Sequence, residues 1–242
     1  MLEIKNLSKH FGGLKAIHDL SFHVQKGDFL GVIGPNGAGK TTLLNLITGY
    51  ILPTSGEVIF QNQSIIGLKP FEVSRLGVAR TFQIVRPFGE MSVEDNVLAA
   101  ALFSAPKRIG VEEGRTNAQR PLELTGLYDI RHKFARTLTI GGKKKLELAR
   151  SLAVNPHLLL LDEVMGGLSF TEMTEIIEVL ERIHFAGTTI VMIEHVMEAI
   201  MQLTDRVVVL NFGEKLFEGT PKEVMEHPDV IESYLGRPLE DE

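Results

Sequence analysis

The stretch Gly34-Pro35-Asn36-Gly37-Ala38-Gly39-Lys40-Thr41 fits the pattern G-x-x-x-x-G-K-[ST] at every fixed position. A short apolar run, Phe29–Ile33, precedes it, and a segment of helical character follows it. Glycines let backbone N–H groups converge on phosphate oxygens, and a helix N-terminus adds positive potential at the same point. Lys40 is expected to reach the β- and γ-phosphates, and the Thr41 hydroxyl to bind Mg²⁺. The stretch therefore predicts a nucleotide-binding loop between a strand and a helix.

Short apolar runs recur downstream and are separated by segments of helix length, which favours an α/β fold with a mainly parallel sheet. The first 30 residues alternate apolar and polar side chains, which predicts antiparallel strands. Residues 84–150 have a helical pattern, with Ser104–Arg120 read as a polar loop because it holds Pro106, Gly110 and Gly114.

Composition limits the classes of function. The chain has 242 residues, with 25 Lys and Arg against 31 Asp and Glu, a net charge of −6. This acidic balance disfavours nucleic acid as a partner. The chain contains no cysteine, so disulfides, zinc–thiolate sites and thiol catalysis are excluded. No signal peptide and no apolar run long enough to span a bilayer are visible, so we expect a soluble chain of the cytoplasm.

Two acids follow the apolar run Leu158–Leu161. A buried strand would deliver the first of them, Asp162, to a Mg²⁺ ion beside the phosphate loop. Glu163 would lie just beyond the strand end, where it could polarise a water for in-line attack on the γ-phosphate. The pair therefore predicts hydrolysis as well as binding of the nucleotide.

Two further polar residues follow predicted strands. His195 comes after the apolar run Ile190–Ile193, and Gln83 comes after a short strand that ends near Arg80. The carboxyl ends of parallel strands gather at the ligand crevice of such a sheet. We therefore predict that His195 contacts the γ-phosphate and that Gln83 senses Mg²⁺ or the attacking water.

The order of these motifs along the whole chain resembles the ATP-binding subunits of ABC transporters. The resemblance implies a P-loop ATPase fold in one domain, residues 1–242, with an antiparallel β-subdomain at about 1–30 and 55–80 and a helical subdomain at about 84–150. It implies Glu163 as catalytic base, aided by His195 and Gln83, and Mg²⁺ held by Thr41, Gln83 and Asp162. The residues implied to contact ATP are Phe11, Gly34, Pro35, Asn36, Gly37, Ala38, Gly39, Lys40, Thr41, Thr42, Thr139, Gly141 and Gly142.

The family's signature, usually L-S-G-G-Q, falls at Leu138-Thr139-Ile140-Gly141-Gly142. The resemblance implies that this segment binds the γ-phosphate held by the opposite subunit. Here Thr139 keeps the hydroxyl, Ile140 replaces a glycine and Gly142 replaces the glutamine. Ser169 also stands where the family usually has Asp or Asn. These departures leave open a regulatory subunit that binds nucleotide without turning it over.

Three stretches resemble the ATP-binding subunits of branched-chain amino acid importers, and importers of urea or short amides share them. They are Lys9–Leu14, Ala79–Gln83 with Arg86–Phe88, and the tail His227–Gly236. The resemblance implies two membrane-spanning permease subunits docked near Gln83 and Phe88, and a solute receptor that acts indirectly. It also implies a homodimer, or a heterodimer with a related cassette, at the cytoplasmic face of the membrane. A non-transport ATPase acting on ribosomes or DNA is the alternative from another class, and the net charge of −6 disfavours it.

Overall fold

The computed structural model describes residues 1–104 and 109–235. The chain divides into two units, Met1–Lys69 with Val191–Glu242, and Pro70–Ile190. Gly236 of the tail stretch, the acidic residues 240–242 and Pro106 of the predicted loop lie outside the described residues. No helix in the described ranges is both long and apolar enough to span a bilayer.

The first unit contains an antiparallel sheet and part of a parallel one. The antiparallel sheet consists of β1 (Leu2–Phe11), β2 (Leu14–Val24), β4 (Ser55–Phe60) and β5 (Gln63–Ser64), in the order β2-β1-β4-β5. The other strands of this unit are β3 (Phe29–Ile33), β9 (Arg206–Asn211) and β10 (Glu214–Gly219). β9 pairs in parallel with β3 and antiparallel with β10. The helices of this unit are α1 (Lys40–Ile47), α7 (Met197–Leu203), α8 (Pro221–Glu226) and α9 (Pro228–Leu235).

Strand β3 carries the phosphate loop, and all five of its residues are buried. At its centre, a Cβ on Gly31 would lie 3.2 Å from the side chains of Ile200 and Thr204. The absence of a side chain at Gly31 therefore lets α7 pack closely on the strand. This packing explains a glycine inside an otherwise apolar run, and it holds the strand that leads into the loop.

The second unit contains a parallel pair of strands and a group of helices. β6 (Val78–Arg80) pairs in parallel with β7 (Leu158–Asp162), with Val78 opposite Leu158. The strand β8 (Thr189–Ile193) has residues in both units. The elements of this unit are α2 (Pro70–Arg75), β6 (Val78–Arg80), α3 (Val93–Ser104), α4 (Val111–Leu124), α5 (Ile140–Leu152), β7 (Leu158–Asp162) and α6 (Phe170–Phe185).

The predicted loop Ser104–Arg120 is wrong over most of its length, because α4 begins at Val111. Ala118 and Leu122 of this helix are buried, and a Cβ on Gly114 would lie 2.7 Å from a methyl of Leu98 on α3. These three positions are spaced by four residues and form one narrow face. Gly114 therefore permits close packing of two helices, whereas as sequence it resembles a loop residue.

The second segment of the predicted antiparallel subdomain, residues 55–80, is wrong from Pro70 onward. Pro70–Arg75 is a helix, and Val78–Arg80 pairs in parallel with the strand that ends at Asp162. A three-residue strand is too short to show a period, so its partner cannot be inferred from the chain alone. The pairing places Gln83 downstream of a strand adjacent to the one that carries Asp162 and Glu163.

Candidate functional site: a phosphate loop and a carboxylate cluster

The phosphate loop connects β3 to α1 in a conformation that needs glycine. Gly39, just before the helix, has φ 101°, and a Cβ there would lie 2.5 Å from the carbonyl oxygen of Ala16. Any other residue would be strained in its backbone and would collide with β2. The Gly39 carbonyl accepts from the N–H of Leu43 at 2.9 Å and so starts the helix. The loop's N–H groups are thus placed at a helix N-terminus, where phosphate binds favourably.

Lys40 points back into this loop. Its Nζ donates to the carbonyl oxygens of Gly34 at 2.6 Å and Pro35 at 3.0 Å, and the residue is 8% exposed. These bonds satisfy a buried ammonium within the loop itself. The Lys40 charge therefore lies among the backbone groups that the motif assigns to phosphate.

The turn between β9 and β10 contacts the phosphate loop from the C-terminal part of the chain. The N–H of Gly213 donates to the carbonyl of Ala38 at 3.1 Å, and its own carbonyl accepts from the N–H of His18 at 2.8 Å. A Cβ on Gly34 would lie 2.2 Å from the carbonyl oxygen of Leu210. The hairpin and the loop therefore fit only with glycine at Gly34. Nothing in the local sequence around the turn indicates this contact.

Tyr234 on α9 also approaches the loop. Burial raises the pKa of the Tyr234 hydroxyl to about 12, and a backbone hydrogen bond with Gly34 offsets part of that rise. The hydroxyl is therefore neutral at physiological pH. The C-terminal helix thus contributes a polar contact at the first residue of the phosphate loop.

Asp162 ends the buried strand β7 and forms an ion pair with Arg80. Arg80 Nη2 donates to Asp162 Oδ2 at 2.8 Å, and both side chains are 7% exposed. A carboxylate this deeply buried needs a partner, and the guanidinium supplies it. Arg80 therefore holds the Asp162 side chain in place at the end of the strand. The sequence analysis assigned no role to Arg80.

Glu163 follows at once and adopts a left-handed backbone conformation, with φ 49°. Such a conformation costs a non-glycine residue of the order of 1 kcal/mol and is often found at functional sites. Gln83 Nε2 donates to Glu163 Oε2 at 2.6 Å. The structure thus brings together two residues that are 80 positions apart and that were predicted to share the site.

Lys144 on α5 holds the backbones of both residues. Its Nζ donates to the Gln83 carbonyl at 3.2 Å and to the Glu163 carbonyl at 3.3 Å, and the residue is 6% exposed. One turn further along the same helix, Glu147 accepts from the N–H of Phe82 at 2.5 Å. Burial raises the pKa of Glu147, while the bond from Phe82 and the charge of Lys144 lower it in part.

No role was predicted for Lys144 or Glu147 from the sequence, where they are charged residues in the helical segment that follows the signature. Their spacing of three residues puts both on one helix face, and both are buried. Buried charges are rare unless they are paired, so their burial indicates a specific role. We infer that they position the segment around Gln83 and the backbone of Glu163.

The signature segment begins α5. Thr139 precedes the helix, and its hydroxyl oxygen accepts from the N–H of Gly142 at 3.1 Å. The N–H of Gly141 donates to Oε1 of Glu172 at 3.1 Å, and Ile140 is exposed. The predicted hydroxyl and amide groups therefore lie together at a helix N-terminus, and a carboxylate is already bound there.

His195 and Phe11 lie in the first unit. His195 follows β8, and its exposed ring has Nδ1 3.9 Å from Oε2 of the buried Glu194. Phe11 ends β1 with 48% of its surface exposed, and Lys9 Nζ lies 4.9 Å from its ring centre. An exposed aromatic ring at the end of a strand suits stacking on adenine. The roles of both residues remain predictions.

The residues proposed for Mg²⁺ suit that ion. Thr41, Gln83 and Asp162 offer a hydroxyl, an amide and a carboxylate oxygen, the hard donors that Mg²⁺ prefers. Gln83 donates to Glu163 through its amide nitrogen, which leaves its amide oxygen as the atom that would face a metal ion. Within the described part of the chain, no cluster of three or more His, Cys, Asp or Glu could hold a metal alone. Mg²⁺ that is held mainly by phosphate oxygens and water does not require such a cluster of side chains.

The chain was compared with known proteins. The sequence profile of the ABC transporter family matches residues 17–166, and that of the branched-chain amino acid ATP-binding cassette transporter matches residues 214–239. The high-affinity branched-chain amino acid transport ATP-binding protein LivG of Escherichia coli (strain K12) is 37% identical, with 98% of each chain covered. The corresponding protein BraF of Pseudomonas aeruginosa is 36% identical, again with 98% of each covered.

Solved structures give the same result. A nucleotide-free ATP-binding cassette from an ABC transporter superposes with a TM-score of 0.88 at 31% identity, over 98% of this chain and 99% of the other. The ADP conformation of a cassette superposes with a TM-score of 0.88 at 33% identity and the same coverage. A dimeric bacterial ABC transporter cassette gives a TM-score of 0.80 at 26% identity, over 91% and 99%. The predicted fold class is thereby confirmed. The chain belongs to the ABC transporter family, as one of its ATP-binding and ATP-hydrolysing cassettes.

Proposed function

We propose that this chain powers the import of branched-chain amino acids, as one of two cassettes that bind ATP between them and drive a pair of permease subunits. The C-terminal match at residues 214–239 is the observation that carries the proposal. That segment includes β10, α8 and α9, and the turn before it contacts the phosphate loop at Ala38. The segment typical of the importer subgroup is therefore joined to the part of the fold that binds nucleotide.

Within the site, we propose that Glu163 acts as the general base. Its carboxylate would accept a proton from the water that attacks the γ-phosphate, and the bond to the leaving ADP oxygen would break. Gln83 would orient that carboxylate, and His195 would contact the γ-phosphate. Mg²⁺, when bound by Thr41, Asp162 and Gln83, would neutralise charge on the phosphates. Lys40 and the loop N–H groups would hold the phosphates in line.

We further propose that the permease docks beside Gln83. Phe82, Ile84 and Phe88 are exposed apolar side chains within a few residues of it. Phe88 also binds the helical subdomain, because its N–H donates to Asn96 Oδ1 at 2.9 Å. A permease contact at this patch would act directly on the residue that bonds to Glu163. The cassette would then sit on the cytoplasmic face of the membrane, with the solute receptor acting through the permease.

The test is reconstitution of the cassette with its permease subunits, sister cassette and receptor in proteoliposomes. We expect leucine, isoleucine or valine to stimulate ATP hydrolysis and to accumulate inside only with ATP present. Uptake of urea or acetamide without uptake of leucine would instead assign the chain to the importers of short amides. Nucleotide binding with no turnover in the full assembly would support the regulatory alternative, which the altered signature around Ile140 motivates.

The stacking role of Phe11 can be tested separately. We expect Phe11→Ala to lower ATP affinity about tenfold, because stacking a base on an aromatic ring is worth about 1–3 kcal/mol. Phe11→Tyr should keep the affinity, and the binding of inorganic triphosphate should not change in either variant. Isothermal titration calorimetry measures all three. Equal affinity of Phe11→Ala and wild type for ATP would show that the ring does not stack on adenine.

The positioning role of Lys144 predicts an effect on the rate. Lys144→Met keeps the aliphatic stem and removes both bonds to the carbonyls of Gln83 and Glu163. We expect kcat to fall about tenfold, since a hydrogen bond from a charged group is worth about 1.5–3 kcal/mol and each 1.4 kcal/mol is tenfold in rate. The KM for ATP should change less than about twofold. Steady-state phosphate release measures both constants.

Lys143→Met is the matched control for Lys144→Met, because it makes the same charge change at the preceding position, for which the described contacts show no bond to Gln83 or Glu163. Lys144→Arg should restore most of the rate by supplying donors at the same place. A loss of ATP affinity with unchanged kcat in Lys144→Met would contradict the positioning role.

A further inference from the structure

The N-terminus of the signature helix already holds an anion from the same chain. Oε1 of Glu172, in the first turn of α6, accepts the N–H of Gly141 at 3.1 Å. Hydrogen bonds from the Ser169 backbone, the Gly141 backbone and the Ser169 hydroxyl lower the pKa of Glu172, so it is ionised at neutral pH. The carboxylate therefore occupies the N–H of Gly141, one of the groups that the resemblance assigns to the γ-phosphate of the opposite subunit.

The geometry at Gly141 shows how closely the carboxylate fits. A Cβ on Gly141 would lie 2.9 Å from Oε1 and 3.0 Å from Cγ of Glu172. The glycine of the signature thus admits the acidic side chain as well as a phosphate. A single N–H makes one strong hydrogen bond, and two anions at the same helix end repel each other. Glu172 and a γ-phosphate cannot both bind Gly141 at full strength.

Ser169 gives the carboxylate an alternative set of partners. The N–H of Ser169 donates to Oε2 of Glu172 at 3.1 Å, and its hydroxyl donates to the same oxygen at 3.0 Å. In return, the N–H of Glu172 donates to Ser169 Oγ at 3.3 Å, which completes a capping box on α6. Oε2 can keep these bonds while Oε1 leaves Gly141. Displacing the carboxylate from the signature therefore does not leave it without hydrogen-bond donors.

The departure from the family pattern at Ser169 matches this arrangement. An aspartate at this position would place a second carboxylate against Glu172 and could not donate a proton to it when ionised. Serine both donates to Oε2 and caps the helix. Ser169 and Glu172 thus act as a pair within one helical turn.

We propose that Glu172 is a residue of the composite ATP site: its carboxylate competes with the γ-phosphate of the opposite subunit's ATP for the N–H of Gly141. Glu172 then sets the ATP concentration at which two cassettes close on each other. The inference rests on the proposed function, since it requires the signature to bind ATP held by a second cassette. It explains why the signature's anion site contains a carboxylate within the single chain.

The experiment measures ATP-dependent dimerisation of the full chain carrying Glu163→Gln, in which turnover is blocked. Glu172→Gln is added to this background, since it removes the charge, keeps the side-chain shape and leaves an amide oxygen to cap α6. We expect the ATP concentration for half-maximal dimer, measured by sedimentation velocity, to fall about fivefold, because a charged acceptor binds about twice as strongly as a neutral one. ATP affinity of the monomer should not change.

The control is Glu175→Gln, one turn along the same helix. It makes the same charge change, but its carboxylate pairs with Lys145 Nζ at 2.6 Å and not with Gly141. It should leave the half-maximal concentration unchanged, and the melting temperatures of both variants should stay near that of the parent. An unchanged or higher half-maximal concentration in folded Glu172→Gln would overturn the inference.

The same experiment separates the two proposals. A parent chain that binds ATP but forms no dimer, alone or with its sister cassette, would overturn both the closure step of the proposed function and this inference. A parent that dimerises with ATP while Glu172→Gln behaves like Glu175→Gln would overturn the inference alone.

Discussion

Glu163→Gln should reduce steady-state ATP hydrolysis at least about a hundredfold, because a general base contributes about 10²- to 10⁴-fold to a rate. Glutamine matches glutamate in shape, so the left-handed backbone at this position carries the same strain in both chains. Lys144 bonds to the backbone carbonyl of Glu163, and that bond is unaffected. The change therefore removes the proton acceptor and little else.

Two measurements check this prediction. Phosphate release should fall while ATP affinity, followed by calorimetry, stays within about twofold of wild type, since the phosphate loop is intact. The dimer should persist in ATP, because the bound nucleotide is not consumed. Glu178→Gln, at an exposed position of α6, makes the same charge change and should leave the rate unchanged. A Glu163→Gln rate within threefold of wild type would assign the base elsewhere.

Lys40→Met should lower the affinity for ATP about a hundredfold, since a charged hydrogen bond is worth about 1.5–3 kcal/mol and each 1.4 kcal/mol is tenfold in affinity. Methionine fills the space of the buried stem but provides no charge. The loop also loses the two bonds that Nζ makes to Gly34 and Pro35. We therefore expect phosphate groups to bind less tightly and the backbone of the loop to be less firmly held.

Two comparisons assign the lost affinity to the phosphate contacts of Lys40. Inorganic triphosphate should lose affinity by about the same factor as ATP, because adenine contacts are not involved. Lys26→Met, at an exposed position in the same unit, makes the same charge change and should bind ATP normally. ATP affinity of Lys40→Met within threefold of wild type would contradict the assignment of Lys40 to the phosphates.

The phosphate loop and the acidic pair were predictable because their chemistry is local. Each needs only an apolar strand followed at once by the reactive residues, and each feature can be read in one short continuous stretch, Phe29–Thr41 or Leu158–Glu163. The helix α4 was not predictable in this way. Gly114 and Pro121 are helix breakers in most contexts, and only the packing of Gly114 on Leu98 shows why a glycine stands there.

The residues that support the site were missed for a different reason. Arg80, Lys144 and Glu172 contact partners that are 82, 61 and 31 positions away in sequence. A charged residue that will be buried has no local pattern that distinguishes it from a charged residue on the surface. Its role depends on which element packs against it, which only the folded chain specifies.

By itself, the sequence determined that this protein is an ATP-binding cassette, because the order of its motifs and the residue types at each are tied to one chemistry. It also determined which residues are candidates to bind phosphate, to bind Mg²⁺ and to activate water. Only the tertiary structure decided how those residues are held: Asp162 by Arg80, Glu163 by Gln83 and Lys144, and the signature by Glu172. The physical reason is that hydrogen bonds and ion pairs depend on distances of about 3 Å between side chains far apart in the chain, and such distances exist only after the core has packed.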